Sequence, residues 1–328
     1  MKFIFNGKEY YIDGLLARQL DTLVYNVKND YDFVVIITGD RAVRVGKSVL
    51  AMQICAYLSA KLKEAGMENK YTIDDVYFEN QEMMTAAFKK PPYHVNHYDE
   101  GREGLAANKA MKSMQHDLLD FFAECGQMNH IFVIVAPDFF KLSEEIAVAR
   151  SEYLINVYRT EVMKDVDLYG TGKMPVVQLK RGQFEFFDRK SKQNLYDKSQ
   201  STRRKNYGLI KANFVGSFTN QYPLGEVEYR KKKKDALSRF SEKKEKEKQE
   251  NKKNEFRNNW IIAEKKKDTP TKDIKERLFN EFGVDITESQ INKIYKAAVK
   301  ERDGEGNSNY YNLGDGNKFN NTERGLTL

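Results

Sequence analysis

With 328 residues and a net charge of +7, the chain has room for one sizeable α/β domain and a small second one. Two cysteines, Cys55 and Cys125, lie in apolar or helical contexts without metal-ligand spacing, which fits a reducing cytoplasm and no disulfide framework; with no signal h-region and no run of ~20 apolar residues, a soluble cytoplasmic protein is expected. Charge is unevenly spread: residues 230–267 hold 16 Lys/Arg against 7 Asp/Glu, a net of +9, so the rest is slightly acidic.

In chain order, residues 2–13 form a predicted hairpin about Asn6-Gly7, with Phe3, Phe5, Tyr10 and Ile12 alternating. A helix is expected from Leu15 to about Val27. The run Phe33-Val34-Val35-Ile36-Ile37 is short, continuous and β-branched, as in a parallel strand covered on both faces. Helix formers follow from Val49, and Gly46-Lys47-Ser48 stands at the junction. Such a junction grips phosphate, because free backbone N–H groups and the positive helix end face the anion. Lys47 is expected to neutralise the terminal phosphates and the Ser48 hydroxyl to ligate Mg²⁺. Gly39, Arg44, Gly46, Lys47, Ser48 and Val49 are the expected nucleotide contacts, with ATP and Mg²⁺ as cofactors. The usual spacing puts a glycine where Arg41 stands, and Gly39 is two residues too early. The loop is therefore longer than usual, at little entropic cost.

Val76-Tyr77-Phe78 is a short strand candidate, followed by a helix near Gln81–Phe88 that Pro91-Pro92 stops. Tyr93–Glu100 reads as a strand ending in adjacent carboxylates, with Asp99 expected to hold the Mg²⁺ shell and Glu100 to polarise the attacking water. His94 and His97, three apart on a strand, face opposite ways and are expected in the core. A long helix over Leu105–Cys125, a buried strand over Ile131–Ala136, a mostly helical 138–148 and a strand over Tyr153–Tyr158 complete the pattern. Strands alternating with helices imply right-handed crossovers and a mostly parallel sheet covered by helices on both faces. Alternating short strands around Gly170, Gly172 and Gly182 predict an antiparallel appendage. Gly170-Thr171-Gly172-Lys173 mimics a phosphate loop, but no apolar strand precedes it and Pro175 breaks the helix that should follow.

Beyond Phe218 the core periodicity is lost. Glu242, Glu245, Glu247 and Glu250 interleave with the lysines, so the mixed stretch reads equally as a solvated, charge-laced helix or a polyanion-binding arm, and the unbroken Arg230-Lys231-Lys232-Lys233-Lys234 favours nucleic acid. Three short helices are then expected, over Asn254–Lys267, from Thr269-Pro270 through Phe282, and from the capping box Thr287-Glu288-Ser289-Gln290 onward. Ile274, Leu278 and Phe279 of the second helix and Ile291, Ile294, Tyr295 and Val299 of the third are expected inward. The Phe-Gly-Val-Asp-Ile-Thr-x-x-Gln-Ile pattern resembles the helix-turn-helix of resolvases and phage DNA-binding proteins. On the last helix Gln290 and Asn292 are expected to read base edges while Lys293 and Lys296 meet phosphate. A three-helix protein-interaction module is the alternative.

Gly39 to Ser48 looks like the G-x-R-R-V-G-K-S loop of many P-loop ATPases with two residues added. With Asp99-Glu100, residues 30–160 resemble the additional-strand P-loop ATPases, in particular DNA motors of viruses and mobile elements: the HerA/FtsK group, filamentous-phage assembly ATPases and the ATPase half of large terminases. The resemblance implies that the Ile131–Ala136 strand lies between the phosphate-loop strand and the Asp99 strand. It also implies a polar γ-phosphate sensor, for which Asp138 is the candidate and Gln127 and Asn129 alternatives. An arginine of one subunit should complete the neighbour's site; Arg150 is the candidate and Arg102 the runner-up. The expected organisation is an N-terminal hairpin and helix (1–32), a P-loop NTPase core (33–160), the appendage (161–189), a basic linker arm (190–253), a helix-turn-helix module (254–302) and a disordered tail (303–328). The leading expectation is an ATP-hydrolysing, oligomeric DNA motor or packaging-type ATPase, working with a viral or mobile-element nuclease, portal or replication protein. A site-specific DNA-binding ATPase and a non-hydrolysing DNA scaffold are the alternatives.

Overall fold

A computed structural model of the chain describes residues 1–39, 45–99, 109–167, 170 and 172–302. Two compact units divide the chain, Met1–Leu237 and Ser238–Leu328. The first begins with the hairpin β1 (Lys2–Phe5) and β2 (Lys8–Tyr11), turned by Asn6 and Gly7 at φ 50° and 74°, the pair of positive values that a two-residue hairpin turn requires. Asp13 caps α1 (Gly14–Val27) by accepting from Leu15 and Leu16 N–H at 2.9 and 3.3 Å. Then come β3 (Phe33–Gly39), α2 (Lys47–Glu64), β4 (Val76–Tyr77), α3 (Asn80–Ala87), β5 (Val95–Asp99), α4 (Lys109–Glu124), β6 (Ile131–Val135), β7 (Ser151–Val166), β8 (Met174–Phe187), α5 (Arg189–Thr202) and β9 (Phe214–Ser217).

Seven strands form one sheet in the order β4-β5-β6-β3-β7-β8-β9. The strands from β4 to β7 are parallel, and β8 and β9 join antiparallel at one edge. In β3, Val35 and Ile37 face the core shared with α1 and α2, whereas Val34 and Ile36 face the one containing Phe121, Phe122 and Phe139. Both faces are covered, which is why the strand's sequence is continuously apolar.

Two expectations are corrected, and a third is decided between its alternatives. The appendage is not a set of short strands: β7 runs 16 residues, its inner half in the core and its outer half a solvent-exposed ribbon with β8. A register shift at Tyr158/Thr160 and exposure of both outer faces erase the burial pattern that marks a long strand. The polar segment after Lys190 is not all linker, because α5 docks through Leu195, Tyr196 and the buried Lys192. Burial pushes the Lys192 ammonium down to about 7, and it donates to the Ser151 and Val148 carbonyls beside a π-helical turn at Glu145–Arg150. Buried Lys reads as surface in any sequence pattern. The basic stretch takes the charge-laced helical alternative: α6 spans Glu226–Lys266. Its interleaved charges sustain a helix through pairs such as Arg230–Glu226, four residues apart at 2.5 Å.

The two predicted strand histidines are buried, as is His130. Nδ1 of His130 accepts from His94 N–H at 3.1 Å, so Nε2–H donates to the Ala87 carbonyl at 3.1 Å and the ring is neutral. Burial holds its pKa at about 4, against 6.5 in the open. The unfolded chain therefore takes up this proton first; the contribution to stability is whole above about pH 6.5 and lost as pH falls towards 4. His97, lowered to about 4 by burial, adds to the same slope. Urea midpoints should decline across this window, and less steeply in His130→Gln; equal slopes would show that the ring is protonated in the fold.

In the second unit the end of α6 packs with α7 (Thr271–Phe282) and α8 (Glu288–Arg302) around Ile261, Ile274, Leu278, Ile286 and Ile291. Gly283 ends α7 at φ 63°, the left-handed closure that glycine favours. Phe279 and Val299 are exposed rather than inward, whereas Trp260, Val284 and Ile294 pack against the core. Among the described residues no helix is long and apolar enough to cross a membrane. The tail at 303–328 lies outside the described residues.

Candidate nucleotide site

Strands β3, β6 and β5 lie side by side and parallel, so Gly39, Ala136 and Asp99 end at one edge of the sheet. The strand predicted to be inserted is inserted: β6 pairs with β3 on one side and β5 on the other. At that edge Gly46, at φ 105°, turns the chain into α2, and Val49 and Leu50 N–H both donate to its carbonyl at 3.1 Å. The first-turn N–H groups of α2 thus open towards the end of β3. Gly39 has a role that the motif spacing hides. A Cβ there would lie 2.9 Å from Val45 Cγ2 and 3.0 Å from both Lys47 Cδ and the Val157 carbonyl. The glycine lets the Lys47 stem lie across the strand end. Arg44, Glu100 and Arg102 lie outside the described residues.

Ser48 Oγ donates to Asp99 Oδ1 at 3.1 Å. A hydroxyl and a carboxylate at the mouth of a helix N-terminus suit a hard cation that prefers oxygen ligands. No cluster of three His, Cys, Asp or Glu that could hold a metal occurs among the described residues, so a cation here would take its other ligands from phosphate and water. That is how Mg²⁺ is usually held at phosphate sites.

A segment from far along the chain closes over this mouth. Phe218, just after β9, lies against Gly46, where an added Cβ would meet its ring at 2.9 Å. The Gln53 amide of α2 donates to the Thr219 and Gln221 carbonyls, each at 2.8 Å. The chain then enters α6, where the Tyr229 phenol donates to Asp99 Oδ2 and Lys233 Nζ lies 3.7 Å from the same oxygen. Burial, and after it the Asp99 charge, raises the Tyr229 pKa and keeps the phenol protonated. Lys232 Nζ donates to the Ile73 carbonyl at 2.8 Å. Phe218, Gln53 and Tyr229 were not predicted as site residues from sequence, and Lys233 was assigned to a DNA arm. Tyr222 and Tyr229, two aromatics seven apart in a polar stretch, are the signal that marks a packed face there.

Placement of the other predicted residues differs from case to case. Arg150 is engaged within the chain: it forms a two-pronged ion pair with Asp32, donates to the Phe122 carbonyl at 3.1 Å and stacks on the Phe122 ring. It precedes β7 and Asp32 precedes β3, so the pair lies at the opposite sheet end, roughly 20 Å from Gly39 by strand rise. Gln127 and Asn129 precede β6 at that same wrong end. Asp138 follows β6 at the correct end, buried, with Oδ1 accepting from Phe140 N–H at 3.1 Å. Of the four lysines assigned to a DNA arm, Lys231 and Lys234 are exposed, while Lys232 and Lys233 pack on the first unit's Tyr77 and Phe78. On α8 Lys293 and Lys296 are exposed. Gln290 Oε1 instead accepts from Thr287 N–H at 3.0 Å, with Gln290 N–H donating back at 3.3 Å. Asn292 Oδ1 accepts from the Thr271 hydroxyl at 3.3 Å. Gln290 Oε1, which also accepts from the Thr287 hydroxyl, is committed within the module, whereas the exposed Asn292 keeps acceptor capacity.

No family model matches the chain, and no curated protein matches it. Among solved structures it is similar to EssC (ATPases 2 and 3) from Geobacillus thermodenitrificans, at 11% identity and a TM-score of 0.31. The match covers 65% of this chain and 44% of that one. It is too slight to bear on function.

Proposed function

We propose that the chain is a Mg²⁺-dependent ATPase of the additional-strand type that works on DNA as an oligomeric motor. The observation that carries the ATPase reading is the juxtaposition of Ser48 and Asp99 across the inserted strand β6, beside the Gly46-Lys47 helix mouth. Lys47 and the first-turn N–H groups of α2 bind and neutralise the phosphates. Ser48 and Asp99 would hold the cation, which when bound neutralises charge developing on the transferred phosphoryl group. Glu100, next in sequence, accepts a proton from the attacking water. The DNA part rests on charge: the net +9 of residues 230–267, together with exposed Lys231, Lys234, Lys293 and Lys296. The committed acceptor of Gln290 weighs against a site-specific loader and for phosphate contacts of any sequence.

ATP turnover should rise with DNA length and not with sequence, and DNA affinity should fall steeply with salt, by orders of magnitude if ~6 or more phosphates are contacted. A chain ending at Leu237 keeps the site-bearing start of α6 and should retain basal turnover but lose most DNA affinity. Equal affinity and salt slope in the shortened chain would assign DNA to core loops and the second unit to a protein partner. Absence of turnover in the full chain would remove the ATPase reading.

A further inference from the structure

We infer that α6 completes the cation half of the site: Tyr229 is a positioning residue for the Asp99 carboxylate, and Lys233 is its counter-charge, which a bound Mg²⁺ displaces. This deepens the ATPase reading and rests on it.

Asp99 is fully buried, and its two oxygens have different partners. Oδ1 accepts from Ser48 at 3.1 Å; Oδ2 accepts from Tyr229 and lies 3.7 Å from Lys233 Nζ. A buried carboxylate without a compensating charge is costly, and Lys233 supplies that charge. Its ammonium is itself held near Asp99, donating to the Tyr229 hydroxyl at 3.2 Å and lying over the Phe78 and Tyr229 rings. A divalent cation entering between Ser48 and Asp99 brings two charges to the same carboxylate, so cation and ammonium compete. The phenol does not compete. It is neutral, it donates to the oxygen that faces away from Ser48, and so it keeps Oδ1 turned towards the metal side. The segment stays anchored when Lys233 leaves, because Gln53 holds Thr219 and Gln221, and Lys232 holds the Ile73 carbonyl.

The two residues therefore have opposite effects, a signature that general loss of structure does not produce. Mn²⁺ binding to the full chain with ADP, followed by the electron paramagnetic resonance of free Mn²⁺, reads the cation site without turnover. Lys233→Met, and equally Lys233→Gln, should tighten Mn²⁺ by about tenfold, and Tyr229→Phe should weaken it by about three- to tenfold. ADP affinity in excess chelator should be unchanged in all three, and Tyr229→Phe preserves the ring packing. Weaker Mn²⁺ binding in Lys233→Met, or unchanged Mn²⁺ affinity in Tyr229→Phe and both Lys233 variants, would overturn the inference while leaving the nucleotide site standing. A wild-type chain that binds neither ADP nor Mn²⁺ would overturn both.

Discussion

Lys47→Ala is expected to weaken ATP binding by about a hundredfold, ~2.7 kcal/mol, and to reduce hydrolysis further, on the order of a thousandfold. The side chain has two parts with separable roles. Its stem packs across Gly39, and its ammonium is the charge that the proposed phosphate binding requires. Lys47→Met keeps the stem and removes the charge, so the two variants should lose nucleotide alike while only the alanine loses packing. Fluorescent-nucleotide titration and thermal unfolding of both variants separate these contributions. ATP hydrolysis at the wild-type rate in Lys47→Met would dismiss the phosphate-binding assignment. Glu100→Gln should do the opposite, retaining ATP while turnover stops.

Arg150→Ala should cost about 2–4 kcal/mol of folding stability, because it leaves Asp32 largely buried and alone and frees the Phe122 carbonyl. For a unit of this size that corresponds to a fall in Tm on the order of 10 °C. ATP affinity and basal turnover per folded molecule should be unchanged, since the pair lies at the far end of the sheet. An arginine finger predicts the reverse: full stability, normal ATP binding and lost hydrolysis. Asp32→Ala should destabilise similarly, and the double variant should lose much less than the sum of the two. An intact Tm in Arg150→Ala would restore the finger.

Several features were legible before any coordinates because their causes are local. Asn6-Gly7 demands a tight turn, Phe33–Ile37 demands burial on both faces, and the reciprocal Thr287–Gln290 bonds arise within four residues. The places of Gly46-Lys47-Ser48 at a strand–helix junction and of Asp99 at a strand end were legible too, since helix formers follow one apolar run directly and a carboxylate closes the other. What the tertiary structure alone decided are pairings between charged or polar side chains distant in sequence. Arg150 reads as a surface arginine until Asp32, 118 residues away, is placed beside it. Lys192 reads as solvated until the Ser151 carbonyl covers it. Lys232, Lys233 and Tyr229 belong by composition to a basic arm, yet the fold brings them onto Asp99 and its neighbours, 130 residues upstream of Tyr229. Burial makes an apolar side chain conspicuous in a sequence because its periodicity reports the buried face. A buried charge leaves no such trace: its position depends on one partner, and only folding brings that partner near.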